Sequence, residues 1–176
     1  KLIGLDYPGG PAIDKAFRKG DPDFLDLPTP KVSGKYDFSF SGLKTAVLRK
    51  SQELIGEDFR FPSWQIAERL TEEQVNNIAA SFQKKAVEIL VNTTLSAFEE
   101  FNPKSVIIGG GVAANQYLRQ ELQKALPIKL NYAPIDLCTD NGAMIAALGC
   151  FMAEYSKPVD PREIKTEPSL KINYQE

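Results

Sequence analysis

Residues 104–116, with the sequence KSVIIGGGVAANQ, decide how the rest of the chain is interpreted. Val106 to Ile108 is a short β-branched run, which predicts a strand buried on both faces. Three glycines follow, and they let the backbone turn and let another molecule approach it closely. The pattern then becomes helical, and the free N–H groups at the start of a helix suit an anion or the polar edge of a nucleotide. A plain strand-to-helix turn explains the same residues, so both interpretations stay open at this point.

The composition is that of an ordinary globular protein. Of the 176 residues, 43% are apolar and 25% are charged, which is enough for one sizeable core. No apolar run reaches the length of about 18 residues that predicts a transmembrane helix. Cys138 and Cys150 have no CxxC spacing, which indicates a reducing, cytoplasmic setting without a disulfide framework.

Charge and histidine content restrict the chemistry. The net charge is −2 and the cations are scattered, unlike those of a domain that binds nucleic acid by itself. The chain has no histidine, the commonest general base and metal ligand. Any metal or proton-transfer site must therefore use carboxylates or be completed from elsewhere. The first residues contain no initiator methionine and no signal-peptide pattern, so we expect the chain to be a fragment or a cut domain.

Hydrophobic spacing and turn residues predict the elements that precede the glycines. In chain order these are a short helix with Pro11 at its first position, a surface loop over 21–35, a half-buried strand over 36–40, a helix from 41 capped by Ser41, a connection over 55–70, and a long helix over 71–101. Thr71 and Gln74 have the spacing of a capping box, and this long helix is expected to pack one face on the core.

The elements after the glycines form a repeating pattern. Residues 112–125 predict a helix, 128–132 a second strand, and 143–151 a helix rich in small residues. A strand–helix–strand–helix unit implies a sheet that is at least partly parallel. Ligands of such sheets gather at the carboxyl ends of the strands, where the glycine loop and the loop at 139–141 are both expected.

Several polar side chains near these loops have two interpretations each. Asp140 is either the N-cap of the next helix or a metal ligand beside a bound nucleotide. Asn115 lies one turn into the predicted helix, too late for the most obvious cap, and its amide suits ribose hydroxyls or phosphate oxygens. Ser39 and Ser41 beside Lys44 are either an anion site or a helix cap with a solvated lysine. The glycines match neither the Walker loop nor the dinucleotide fingerprint.

Four segments in order, residues 7–11, 37–45, 110–115 and 138–146, closely resemble the TsaD family. These proteins are the transferases of tRNA threonylcarbamoyladenosine synthesis, formerly labelled O-sialoglycoprotein endopeptidases. The resemblance covers nearly the whole chain but only the C-terminal half of the family protein. It implies an α/β fold, namely the C-terminal lobe of an actin/Hsp70/sugar-kinase-like (ASKHA) fold over residues 1–156, followed by an irregular tail over 157–176.

The resemblance also implies an activity and a site. The family transfers threonylcarbamoyl from threonylcarbamoyl-AMP to the exocyclic amine of the adenosine 3′ of the anticodon, in tRNAs that read codons beginning with adenine. Gly110, Gly111 and Asn115 match the segment that contacts the nucleotide, ATP or threonylcarbamoyl-AMP. Asp140 matches the carboxylate ligand of one divalent metal, iron or zinc. The histidine ligands belong to an HxxxH motif of the N-terminal lobe, which this chain lacks, and no residue is assigned as the catalytic base.

Partners and alternatives follow from the same resemblance. It implies tRNA as substrate, TsaB-like and TsaE-like partner proteins if the source is bacterial, a cytoplasmic location and no membrane association. The chain alone is expected to be inactive. The alternative is a non-catalytic ASKHA paralogue that serves as a nucleotide-binding or dimerisation scaffold. A protease, as the old family label says, is not supported, because the sequence has no histidine and no catalytic triad.

Overall fold

A computed structural model describes residues 1–166 of the chain. The contacts divide the chain into two units, Lys1–Thr139 and Asp140–Glu176, and each unit is described by itself. The helices and strands are α1 (Gly9–Phe17), α2 (Ser41–Leu54), α3 (Ile66–Arg69), α4 (Glu72–Phe101), β1 (Val106–Ile108), α5 (Gln116–Ala125), β2 (Leu130–Tyr132) and α6 (Gly142–Met152). Helices combined with parallel strands are the elements of the predicted α/β class.

Helix α4 is the long helix that the sequence predicts, and its first turn contains the predicted capping box. The Gln74 N–H donates to Thr71 Oγ1 at 3.2 Å, and the Thr71 N–H donates to Gln74 Oε1 at 2.9 Å. Asn102 ends the helix with a left-handed backbone (φ 44°), and its N–H donates to the Phe98 carbonyl. Asparagine adopts this conformation more readily than most residues, so the helix ends at Asn102.

Two apolar clusters of the first unit lie along α4. One joins α4 to α2 and to the loop over 21–35, with buried Leu27, Leu43, Val47, Ile78 and Ile89. The other joins α4 to α5 and the strands, with buried Val87, Leu118, Leu122, Leu126 and Leu130. Burial of one such side chain stabilises a fold by about 1.5–3 kcal/mol. Helix α4, which packs against α1, α2 and α5, is therefore the central element of the first unit.

Strands β1 and β2 pair in parallel, as predicted, with Val106 opposite Leu130 and Ile108 opposite Tyr132. The predicted burial of β1 on both faces is wrong. Val106 and Ile108 contact the second cluster, but Ile107 between them is 74% exposed. Successive side chains of a strand point to opposite faces, and α5 and α4 cover only one face of this two-stranded sheet.

Other predictions in the first unit have mixed outcomes. The loop predicted over 21–35 is confirmed, except that its Leu27 is buried in the first cluster instead of lying on the surface. The connection over 55–70 contains the short helix α3. The first helix begins at Gly9, two residues before Pro11, and Ser41 is the first helical residue of α2 rather than its side-chain cap. The strand predicted over 36–40 is wrong. That segment has no regular structure, and Phe38 and Phe40 are 48% and 37% exposed.

The second unit contains α6, which the sequence predicts over nearly the same residues. None of its residues is buried within the part of the chain that the structure describes. A 3-10 turn at Pro161–Glu163 is the last described element. Residues 167–176 of the predicted tail lie outside the described residues, and the predicted division at residue 156 stays a prediction.

Both cysteines are free thiols in the structure, and Cys138 is buried whereas Cys150 is exposed. Among residues 1–166, no helix combines the length and the apolar character that crossing a membrane requires.

Candidate functional site

The glycine loop, defined here as Gly109–Asn115, begins where β1 ends, and its first four residues are exposed, whereas Ala113 is buried. Gly110 has φ +84° and ψ 174°, a conformation that residues with a Cβ rarely adopt. A Cβ placed on Gly109, Gly110 or Gly111 would meet no other atom within 4 Å. The protein's own packing therefore requires a glycine only at Gly110, through its backbone angle, and the main chain of the loop is accessible.

The helix predicted over 112–125 is interrupted. Gly111–Ala114 form a 3-10 turn, closed by the Ala113 and Asn115 N–H groups, and α5 starts only after Asn115. The interruption occurs because Asn115 has an extended backbone, with φ −65° and ψ 115°. The expectation that Asn115 lies too late to be a cap is therefore wrong. Its Oδ1 accepts the Leu118 N–H at 2.8 Å and caps α5.

Hydrogen-bond donors remain at the loop after these internal bonds are formed. Among the described residues, the Nδ2 amine of Asn115 and the N–H groups of Gly111 and Val112 have no protein acceptor. These groups are all donors, and no carboxylate belongs to the loop. The loop can therefore donate hydrogen bonds to an anionic or hydroxyl-bearing ligand.

Helix α5 holds the loop against the rest of the first unit. Leu118 and Leu122 are buried in the second apolar cluster. Tyr117 packs against Phe17 of α1, with ring centroids 4.6 Å apart and ring planes inclined by 39°. Burial raises the pKa of the Tyr117 hydroxyl above its usual value, and the charge of Glu121 adds to this effect. Tyr117 therefore stays neutral at physiological pH and acts as a packing residue.

Asp140 is the first residue of the second unit, and its cap interpretation is wrong. The cap of α6 is Asn141, whose Oδ1 accepts the Met144 N–H at 2.9 Å. Asp140 itself is exposed, and its carboxylate has no hydrogen-bond or ion-pair partner among residues 1–166. The same residues contain no group of three or more His, Cys, Asp or Glu side chains that could hold a metal ion. Asp140 is thus a single available carboxylate rather than part of a complete metal site.

The structure brings some of the predicted site residues together. Gly110, Gly111 and Asn115 form one continuous loop, whereas Asp140 belongs to the other unit. Ser39 and Lys44 line different cavities. Ser39 lies beside Thr29 and Asp37, and Lys44 lies beside apolar residues of α2 and α4. No cavity found among the described residues is lined by Ser39 and Lys44 together. The anion site of Ser39, Ser41 and Lys44 stays a prediction.

Sequence reasoning missed Arg119. This half-buried residue of α5 bonds to Ala113 in the glycine loop and to Ala133 and Cys138 in the loop after β2. The spacing between Arg119 and Asn115 could have indicated a contact between Arg119 and the glycine loop. Arg119 follows Asn115 by four residues, and helical side chains point back towards the N-terminus of their helix.

Comparison with known families gives a match over most of the chain. The sequence profile of TsaD, described as tRNA N6-adenosine threonylcarbamoyltransferase, matches residues 1–147. The match includes β1, the glycine loop, α5, β2 and Asp140. All four sequence segments that resemble the TsaD family lie within the matched residues.

Curated relatives carry the same description. A protein of Symbiobacterium thermophilum named tRNA N6-adenosine threonylcarbamoyltransferase is 45% identical over 155 residues, which are 86% of this chain and 42% of that protein. A relative of the same name from Dehalococcoides mccartyi is 43% identical over 174 residues, 98% of this chain and 47% of the relative. One from Thermosipho africanus is 41% identical over 177 aligned residues, 98% of this chain and 49% of the relative. The chain spans about half the length of these relatives.

Proposed function

Because the chain belongs to the TsaD family of tRNA N6-adenosine threonylcarbamoyltransferases, we propose that it forms the C-terminal half of such an enzyme. The reaction would transfer threonylcarbamoyl from threonylcarbamoyl-AMP to the exocyclic amine of the adenosine 3′ of the anticodon. At the level of fold, the proposal is the C-terminal lobe of an ASKHA fold. Strands β1 and β2 pair in parallel, and α5 connects them in the sequence, which supports an α/β lobe of this kind.

The proposed nucleotide contacts are Gly110, Gly111 and Asn115. Three features of the described residues support them. The glycines of the loop are exposed, the space beside them is open, and the Asn115 amine and two backbone N–H groups have no protein acceptor. These donors suit the phosphate and ribose oxygens of ATP or threonylcarbamoyl-AMP.

Asp140 is the proposed metal ligand. Its exposure and its freedom from capping α6 support this role, since a carboxylate already bonded to a helix N-terminus would have to exchange that bond for the metal. One carboxylate does not hold iron or zinc by itself, so the remaining ligands in this proposal are histidines of the other half. A divalent ion bound there would supply Lewis-acid polarisation of the transferred carbonyl.

The proposed partners are tRNA as the acceptor substrate and TsaB-like and TsaE-like proteins. Because the net charge of the chain is −2, we propose that much of the cationic surface that binds tRNA lies outside this chain.

The observation that carries the proposal is the family match over residues 1–147, which contains the open glycine loop and Asp140. The test is transfer by the full-length protein, with its partner proteins, from threonylcarbamoyl-AMP to unmodified tRNA, followed by nucleoside mass analysis. Modified adenosine is expected with the wild-type protein, and loss of it is expected with Asp140→Ala. Asp136→Ala, which removes another exposed carboxylate, is the matched control. Nucleotide binding without transfer would instead identify the non-catalytic paralogue.

A further inference from the structure

Arg119 joins the two loops that follow the parallel strands. Its Nε–H donates to the Ala113 carbonyl in the glycine loop at 2.5 Å. Its Nη2 group donates to the Ala133 carbonyl and to Cys138 Sγ, both at 3.1 Å. One side chain therefore bonds to the glycine loop at one end and to residues 133–138 at the other.

The charge of Arg119 is held without a carboxylate. Among residues 1–166, its guanidinium contacts two backbone carbonyls, one thiol and the Tyr132 ring, whose centroid is 4.1 Å from Cζ. Half-burial of a cation requires compensation of this kind, here from carbonyl dipoles and the face of an aromatic ring. In this part of the chain no salt bridge uses the guanidinium, and its hydrogen bonds all go to residues of the two loops.

A guanidinium is the group that this geometry needs. Its donors are fixed in one plane and point in different directions, so a single Arg side chain can bridge acceptors on two separate segments. A lysine ammonium is a point charge that would satisfy one segment at a time and would stack less well on the Tyr132 ring.

We propose that Arg119 is a positioning residue that fixes the glycine loop and residues 133–138 as one rigid arrangement and thereby holds the Asn115 segment ready for nucleotide. The claim that Arg119 prepares the Asn115 segment for nucleotide rests on the proposed function. The claim that Arg119 holds the two loops together is independent of it, because the contacts that define it lie within the first unit. Arg119 acts through Ala113, Ala133 and Cys138 and is not assigned any contact with substrate.

The test compares Arg119→Gln and Arg119→Lys in the full-length protein with Arg49→Gln as a matched control. Arg49 also donates to a backbone carbonyl, that of Phe59 at 2.9 Å, and stacks on an aromatic ring, but it lies in α2. Hydrogen exchange is read at the amides of Ala113 and Asn115 in one loop and of Leu137 and Cys138 in the other, all four of which are hydrogen-bonded.

In Arg119→Gln, exchange in both loops is expected to rise about tenfold or more, the change that corresponds to losing one hydrogen bond to a charged group. Arg119→Lys should protect one loop at most, and Arg49→Gln should leave both loops unchanged. Alkylation of buried Cys138 by iodoacetamide should accelerate in Arg119→Gln, with exposed Cys150 as the internal reference. Unchanged exchange, a change confined to one loop, or full protection with Lys would overturn the proposal.

The nucleotide step has its own measurement. The KM for threonylcarbamoyl-AMP is expected to rise in Arg119→Gln by a larger factor than kcat falls, because the variant disturbs a binding loop and leaves Asp140 in place. If protection from hydrogen exchange falls equally in both loops of Arg119→Gln and KM is unchanged, Arg119 holds the loops but has no role in nucleotide binding. If the wild-type protein binds no nucleotide, the proposed function fails, and the exchange result still decides whether Arg119 couples the loops.

Discussion

Asn115 allows its structural role to be separated from its proposed ligand role by two substitutions. Its Oδ1 caps α5 through the Leu118 N–H at 2.8 Å, whereas its Nδ2 amine has no protein acceptor among the described residues. Asn115→Asp keeps the capping oxygen, removes the amine donor and adds a negative charge. Asn115→Ala removes the cap and the donor together.

Asn115→Ala should be the more damaging substitution for stability, and Asn115→Asp the more damaging one for nucleotide binding. Loss of the cap in Asn115→Ala is expected to cost about 1 kcal/mol of unfolding free energy and so to lower the melting temperature. Asn115→Asp should match or slightly exceed the wild-type stability, because a carboxylate at a helix N-terminus contributes about 0.3–1 kcal/mol. Loss of one neutral hydrogen bond in Asn115→Ala should weaken nucleotide binding by about two- to tenfold. Asn115→Asp should weaken it further, since its charge repels the phosphates.

The assays are thermal unfolding by circular dichroism and titration calorimetry with ATP, both on the full-length protein. The expected order of stability is wild type and Asn115→Asp above Asn115→Ala. The expected order of affinity is wild type, then Asn115→Ala, then Asn115→Asp. If affinity simply follows stability, Asn115 affects nucleotide only by capping α5, and its assignment as a ligand residue is wrong.

Three further predictions concern the core, the metal and the glycines. Leu122→Ala, at a side chain only 2% exposed, should lower the free energy of unfolding by about 2–5 kcal/mol in urea denaturation; a loss below 1 kcal/mol would contradict its place in the second cluster. Asp140→Ala should lose most of the iron or zinc that elemental analysis finds in the purified full-length protein, with Asp136→Ala unchanged; equal metal content in both would refute the ligand assignment. Gly110→Ala should lower stability by roughly 1–3 kcal/mol, because a φ of +84° with a ψ of 174° is a conformation that essentially only glycine adopts. Gly111→Ala should keep or raise the melting temperature and still weaken ATP binding. Equal stability losses in the two glycine variants would contradict the difference in their backbones.

The long helix was predictable because several local signals agree. Its apolar spacing, the capping box of Thr71 and Gln74, and Pro103 after its end all indicate the same element, and the structure confirms it. The break at Asn115 was not predictable from spacing. The helical period of Leu118 and Leu122 extends back into the 3-10 turn, so the pattern does not record the single extended residue that separates the two segments.

The strand predicted over 36–40 shows a different limit. Alternation of apolar and polar residues describes a strand's two faces but does not supply the neighbouring strand that its backbone groups need. In the described residues, the sheet consists of β1 and β2 alone, and this segment does not join it. Arg119 was missed for a related reason, since its two acceptor loops are brought together only by the parallel pairing of the strands.

The glycine loop itself gives the strongest physical argument for a ligand. A glycine that packing does not require weakens a fold by about 0.5–1 kcal/mol relative to alanine, because the unfolded chain gains freedom. Gly110 is explained by its positive φ, but Gly109 and Gly111 have no positive φ and have open space where a Cβ would lie. Nothing in the first unit accounts for these two glycines. The nucleotide proposed to approach the main chain at the donors of Gly111 and Val112 would account for them, because a Cβ at Gly109 or Gly111 would occupy the space into which that ligand is proposed to bind.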